Sequence, residues 1–334
     1  MTLKTRQLAA SFGVVLVAAF LIFAPLTLHR YGLYILSQWA VMTIAAIGLN
    51  LTLGYAGQIS LAQGAFVGVG AYSAAILTTH GWPLIAAVAV ALVLCFAIGW
   101  LLGYPALRVR HHYLAFVTLA FSTLAFLVFR NESWLTGGTE GIDNVPRPSI
   151  FGLSMTPNLR YAYLCLFVLA IVALTMLMLV RSPWGRAFIA LRENPIRALS
   201  LGVDTRRYIL TAFAIGSALG GLSGALYAPL VGLVEPPAFT LALSLNLLMM
   251  VIVGGSGYFL GPFVGALVAV LLPEWLRFLE TYYLIFYALL VMALLIYSPT
   301  GLIGIVDRHL VNRRLRASSA ARAGTWASAR ILSS

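Results

Sequence analysis

Two stretches of this 334-residue chain hold the side chains that could do chemistry, and neither is a catalytic constellation. The first, GLNLTLGYAGQISLAQGAF (Gly48 to Phe66), places Asn50, Gln58, Ser60 and Gln63 with four glycines inside apolar sequence. Amides and hydroxyls of this kind can hydrogen-bond a passing polar solute, or one another. Irregular backbone at membrane depth is tolerated only against protein or a watery cavity, and discontinuous helices often line a substrate path. Thr118, Ser122 and Thr123 add hydroxyls further along, so Asn50, Gln58, Gln63, Thr118 and Ser122 are the candidate path-lining residues. The second stretch, RSPWGRAFIALRENPIRALSLGVDTRR (Arg181 to Arg207), sets six arginines against two acids. Its chemistry is that of contact, with a partner protein or with lipid phosphate.

Reactive arrangements are missing. No GxxxxGK[ST] phosphate loop, HExxH pair or Ser/His/Asp set occurs, and His111 and His112 sit at a short turn. Cys95 and Cys165 both lie within apolar runs, so neither a disulfide framework nor a metal site is indicated. No cofactor and no enzymatic activity are expected.

The elements that must position these residues are membrane spans. The chain is 61% hydrophobic and 9% charged, with a mean hydropathy of +0.97, whereas a soluble domain carries roughly 25% charged residues. Apolar runs near 20 residues recur throughout, each long enough to cross about 30 Å of hydrocarbon as a helix, and the ten-residue alternation of a barrel is absent. The fold class is therefore an all-α polytopic membrane protein. About ten transmembrane helices are expected, at 8–28, 33–53, 58–79, 84–103, 113–129, 160–180, 208–231, 243–256, 258–275 and 281–297. The first run imitates a signal peptide but is too long for one and lacks a small-residue cleavage site, so it is kept as a span. The break GGSGYFLGP (Gly254 to Pro262) leaves 243–275 open to a re-entrant pair; losing a span, however, would flip the tail against its charge.

Ten spans put the N- and C-termini on one side. With both ends cytoplasmic, 16 of the 21 basic residues fall inside, as the positive-inside rule asks. That distribution, between spans and at the ends, also argues against nucleic acid as the reason for the net charge of +12. The organisation is then a transmembrane domain over 1–307, with an outer loop at 130–159 and an inner loop at 181–207. A basic tail follows at 308–334, too poor in apolar residues to pack and suited to disorder or anionic lipid. Gly216, Gly220 and Gly224 recur every four residues, as do Gly257, Gly261 and Gly265, a spacing that lets helices approach closely in lipid.

Within the inner loop, Asn194-Pro195 starts a helix and Gly202 stops it. Pro195 to Leu201 is marginal alone, since isolated helices need roughly 12–15 residues. With Ile196 and Leu199 on one face it reads either as a helix awaiting a groove on another protein or as a connector on the membrane surface. The absence of charge inside the spans argues against an ion-coupled carrier. Energy then comes from a partner ATPase, or the protein is a passive facilitator.

Several motifs together resemble the permeases of branched-chain amino-acid ABC importers: NLTLGYAGQISLAQGAFVGVGAY (Asn50 to Tyr72), YLAFVTLAF (Tyr113 to Phe121), LTGGTEGI (Leu135 to Ile142), SPWGRAFIALRENPIRALSLGVD (Ser182 to Asp204) and GGSGYFLGPFVGA (Gly254 to Ala266). The similarity runs collinearly from about Ser37 to Gly301 and is closest to the larger of the two permease subunits. It implies a multi-pass protein of the bacterial inner membrane, paired with a sister permease. It further implies two cytoplasmic ATP-binding subunits and a periplasmic substrate-binding protein. Substrate would move by alternating access. Arg181 to Arg207 would be the coupling segment, with Arg192, Glu193, Asn194, Pro195, Ile196, Arg197, Leu199 and Gly202 on the ATPase-docking surface. After Arg192-Glu193-Asn194 the chain departs from the family's more acidic, alanine-rich pattern. Urea and short-chain amide permeases share these motifs, so the resemblance leaves the cargo between branched-chain amino acids and small amides.

Overall fold

A computed structural model describes residues 25–106, 111–150, 153–155, 158–275, 289, 292 and 301–304. Most of the expected first span (8–28), the expected tenth span (281–297) and the tail (308–334) lie outside the described residues. Helix α1 (Arg30–Leu49) continues into a π-helical segment, Asn50–Tyr55, followed by α2 (Gln63–Thr79), α3 (Leu84–Ala106), α4 (His111–Asn131) and the short α5 (Ser133–Thr136). After a two-residue antiparallel pair, β1 (Ser149–Ile150) with β2 (Leu153–Ser154), come α6 (Asn158–Arg181), α7 (Pro183–Glu193), α8 (Pro195–Ser200) and α9 (Thr205–Val231). A 3₁₀ turn at Pro236–Phe239 leads into α10 (Leu241–Gly254) and α11 (Gly261–Trp275).

Among the described residues, five helices are long and apolar enough to cross a membrane: α1 with its π extension, α3, α4, α6 and α9. Three expected spans come out shorter. The 58–79 span is helical only from Gln63, and the 243–256 and 258–275 spans become helices of 14 and 15 residues. At 1.5 Å per residue these last two reach only about 21–22 Å. Glycine shortens them, because Gly255 and Gly257 turn the chain with φ of +122° and +82°. The α10–α11 hairpin nevertheless meets both ends of α1. Tyr31 Oη donates to Glu274 at 2.5 Å, and Asn50 contacts the Gly257 turn.

Helix α9 is the hub, packing against α1, α2 and α3, and its small residues permit that. A β-carbon on Gly224 would overlap the Val67 carbonyl of α2, one on Gly216 would press on Gly48 of α1, and one on Gly221 would meet Cys95 of α3. Lipid offers no hydrophobic drive for helices to associate, so this close contact, with dispersion and interhelical hydrogen bonds, supplies the cohesion. Ser223 Oγ donates to the Val41 carbonyl at 2.8 Å and Tyr161 Oη to that of Leu226 at 2.5 Å. The outward faces of α3, α4 and α6, with Val93, Leu101, Phe116 and Phe167, stay exposed and apolar, as lipid-facing surfaces do.

The described residues of the 130–159 segment are tied down by turns and a bridge. Glycines 137, 138 and 141 turn the chain at positive φ. An isolated bridge then joins Ile142 to Val234 just past α9.

Replacing Gly224 by valine should lower the unfolding temperature of the detergent-solubilised protein, overpacking of this kind costing about 1–3 kcal/mol or more. Gly232→Ala meets no neighbour, though its φ is +81°, and should cost only about 1 kcal/mol. Equal melting points for the two variants would refute the close α2–α9 contact.

Candidate functional site

The polar residues of Gly48 to Phe66 build a break in the membrane-embedded backbone. Helix α1 widens into the π segment at Asn50, closes with Ala56 N–H to Leu51 at 3.0 Å and Gln58 N–H to Thr52 at 2.8 Å, and stops. The chain then turns back beside it, non-helical through Ala62, before α2 begins level with Gly48 and Gly216. Gln63 fixes that level, since its Nε2 donates to the carbonyls of Ala45 (3.0 Å) and Gly216 (3.1 Å). Gln58, Ser60, Ala62 and Gln63 are all buried.

Buried backbone groups freed from a helix need partners, and side chains from distant helices supply them. Thr118 Oγ1 on α4 accepts from Leu61 N–H at 3.0 Å, Ser244 Oγ on α10 accepts from Gly64 N–H at 2.9 Å, and Ser60 Oγ accepts from Ala62 N–H at 3.4 Å. Asn50 uses both ends of its amide on the α10–α11 turn: Oδ1 accepts from Gly257 N–H at 2.9 Å and Nδ2 donates to the Tyr258 carbonyl at 3.1 Å. The structure thus gathers Asn50, Gln58, Gln63 and Thr118 around one break and gives each a partner within the chain; Gln58 Nε2 donates to the Ala56 carbonyl at 3.3 Å.

Ser122 differs. It is 2% exposed and its hydroxyl has no partner among the described residues; Tyr72, 3% exposed, is in the same condition. The Tyr72 ring stacks on Phe129 with centroids 4.6 Å apart and meets Phe239 edge-on at 5.9 Å. Ser122, Ala125 and Phe129 share one buried stripe of α4. The line from Thr118 past Ser122 to Tyr72 therefore runs from the backbone break to the aromatic cluster, with two unspent hydroxyls on it. The sequence reading found Ser122 but not Tyr72, which looks like one more aromatic in an apolar helix.

The second polar stretch folds into two capped helices. Ser182 Oγ accepts from Trp184 N–H at 3.1 Å and Pro183 opens α7, whose Gly185, Ala187, Phe188 and Leu191 are buried. This helix was not anticipated, although Ser182-Pro183 ahead of that apolar spacing signals it. Asn194 ends α7 and starts α8: its Oδ1 accepts from Ile196 N–H at 3.1 Å and Arg197 N–H at 3.0 Å. Only Ala198 of α8 is buried, on Leu191 and Ile209. Ile196, Leu199 and Leu201 are 77%, 61% and 82% exposed. Gly202 ends the segment with φ of +81°. Arg192 points elsewhere. Its Nη1 donates to the Gly54 carbonyl at the end of the π segment, at 2.5 Å, so it joins the two polar stretches.

Asn194→Ala should cost roughly 1 kcal/mol of local stability, the usual worth of an N-cap. Hydrogen exchange read by mass spectrometry should speed up across 195–201 and leave α9 unchanged. An unaltered rate there would mean that Asn194 does not hold α8.

Comparison with known proteins places this architecture. Residues 31–295 match a family described as branched-chain amino acid transport system / permease component. The high-affinity branched-chain amino acid transport system permease protein LivM of Escherichia coli is 33% identical over 303 residues, covering 84% of this chain and 71% of its own. The LivH permease protein of the same organism is 28% identical, covering 78% and 90%. An autoinducer 2 import system permease protein, LsrC of an Enterobacter species, is 26% identical, covering 82% of each. No solved structure matches the chain. The extent of these matches shows the family: the chain belongs to the permease components of branched-chain amino acid transport systems.

Proposed function

We propose that this protein is a membrane-spanning subunit of an ATP-binding-cassette importer, carrying branched-chain amino acids across a bacterial inner membrane by alternating access. The observation that carries the reading is α8. It presents Ile196, Leu199 and Leu201 outward with only Ala198 seated on its own protein. A six-residue helix that is capped at one end, stopped by glycine at the other and apolar on its free face suits a groove on a partner. Two cytoplasmic ATP-binding subunits supply that groove and the energy. Glu193, Arg197 and the capping Asn194-Pro195 pair surround the contact.

The chain's greater similarity to LivM than to LivH favours the LivM position, with a LivH-like permease as sister subunit and a periplasmic binding protein as donor. The ten-span path with both ends cytoplasmic is supported by neighbours. Gly54, Arg192 and Gly257, from three segments that this path puts inside, touch one another. Ile142 and Val234, from two segments that it puts outside, form a bridge. On the same reading the positive charge of 308–334 keeps that end on the cytoplasmic side, and no nucleic acid is involved.

The cargo route follows the α2–α4 seam. Thr118, Ser122 and Tyr72 line it above the break held by Asn50, Gln58 and Gln63. The unpaired hydroxyls of Ser122 and Tyr72 are the groups free to meet the polar end of an amino acid, with Phe129 and Phe239 beside its aliphatic end.

Uptake of labelled leucine by cells expressing the chain with its sister and ATP-binding subunits should survive an uncoupler that spares ATP and vanish when the ATPase is disabled. Urea uptake with that dependence would instead make it an amide permease, and uptake indifferent to the ATPase would make it a facilitator. Ile196→Asp with Leu199→Asp should abolish leucine uptake while membrane levels stay normal; normal uptake would sink the docking face. Tyr72→Phe and Ser122→Ala should each raise the leucine concentration for half-maximal uptake about tenfold, the worth of roughly one hydrogen bond, and unchanged kinetics would remove them from the route.

A further inference from the structure

Arg192 stands at the last turn of α7, two residues before the cap of α8, yet its guanidinium reaches Gly54, 138 positions away in sequence. Three observations make this more than a chance surface contact. First, its acceptor is special. Gly54 is buried near the end of the 26-residue helix Arg30–Tyr55, where the last carbonyls have no intrahelical donor and the helix dipole leaves negative partial charge. A guanidinium answers both needs. Second, the approach is built into the surroundings. A β-carbon on Gly57 would lie 3.3 Å from the Arg192 Cα, and one on Gly257 would overlap the guanidinium. Glycines clear the way on both sides. Third, Gly54 is not an isolated end. The Asn50 amide, one turn earlier on the same π segment, is bonded to Gly257 N–H and the Tyr258 carbonyl.

We propose that Arg192 is a strut that ties the α7–α8 elbow to the π segment, and through Asn50 to the α10–α11 turn, so that displacement of α8 is delivered into the membrane at the backbone break. The inference rests on the docking role given above to α8, and it assigns Arg192 to transmission rather than to the docking face. The π segment is a fitting receiver. Its wide turn already departs from α-helical bonding, and such bulges occur frequently at functional sites. Movement of Gly54 relative to Leu61 and Gly64 would act on the bonds that these residues make to Thr118 and Ser244, and so on the α2–α4 seam. Arg192 is a positioning residue here, touching no cargo.

The test uses the whole complex, this chain with its sister permease and ATP-binding subunits, in liposomes with the binding protein and labelled leucine. Spin labels are placed at Ser200→Cys and Ile59→Cys, both exposed positions; native Cys95 and Cys165 are buried. In the complex with Arg192 intact, ATP binding should shift the distance between the labels. Arg192→Ala should leave subunit stoichiometry intact, abolish that shift, and lower leucine moved per ATP hydrolysed by about tenfold or more, as losing one hydrogen bond to a charged group implies. Arg192→Lys, which keeps a donor and the charge, should restore the shift and most of the coupling. A normal shift and normal coupling in Arg192→Ala overturn the strut. So does loss of assembly in Arg192→Ala with coupling unrestored in an assembled Arg192→Lys complex. Failure of the permease reading looks different, because the complex with Arg192 intact would then take up no leucine on ATP.

Discussion

Everything else in this fold depends on satisfying one interruption of backbone hydrogen bonding inside an apolar body. Between Tyr55 and Gln63 the chain leaves its helix, and no water in hydrocarbon can take the freed N–H and C=O groups. Each orphaned group costs several kcal/mol unless paired. Partners arrive from four places: Ser60 from the stretch itself, Thr118 from α4, Ser244 from α10 and Arg192 from α7, while Asn50 ties the π segment to the α10–α11 turn. These bonds are also what fixes α4, α7 and α10 relative to α1 and α2. A break that would be a defect in an isolated helix therefore becomes the point where most of the molecule meets.

Side chains as short as threonine and serine can make those bonds only if the helices lie close, and closeness is the contribution of α9. Its glycines bring the α2 backbone against it at Val67 and the α1 backbone against it at Gly48. The same approach places the Gly216 carbonyl within reach of Gln63, which carries the level of the break from α1 to α9. Packing and polar satisfaction are thus one constraint. Widening either helix contact would strand the amide of Gln63 as surely as deleting it.

What was legible in the sequence follows from how local each signal is. Asn194-Pro195 with Gly202 is a local grammar of capping and stopping, and α8 stands at 195–200 as those residues require. The polar cluster around Gly54 to Gly64 was readable as a break because amides and glycines are costly in a span without a reason. Its partners were not readable. That Asn50 would seek Gly257, or Arg192 the Gly54 carbonyl, depends on side-chain reach across segments some 140–200 residues apart, about which hydropathy is silent. The start of α2 was placed five residues early for a related cause: Gln58 to Ala62 is apolar enough to pass for helix, and only its side-chain-bonded backbone reveals otherwise. Helix α7 was missed because its charged face hid the buried one of Phe188 and Leu191.

The distribution of polar groups finally separates what holds the molecule from what is left to serve a cargo. Asn50, Gln63 and Thr118 each make two hydrogen bonds within the chain. Such groups are poorly placed to release them for a passing solute, since breaking a buried bond leaves an unsatisfied partner at about 1–3 kcal/mol. Among the described residues, the hydroxyls of Tyr72 and Ser122 find no such bond. A buried hydroxyl without a structural partner is the kind of group that the cargo route proposed above would use. The same logic applies to the exposed apolar face of α8, which is uncovered in the single chain and gains most from a partner. Unsatisfied chemistry thus sits at two places, a hydroxyl seam in the membrane and an apolar face outside it, and the Arg192–Gly54 bond lies on the covalent and hydrogen-bonded route between them.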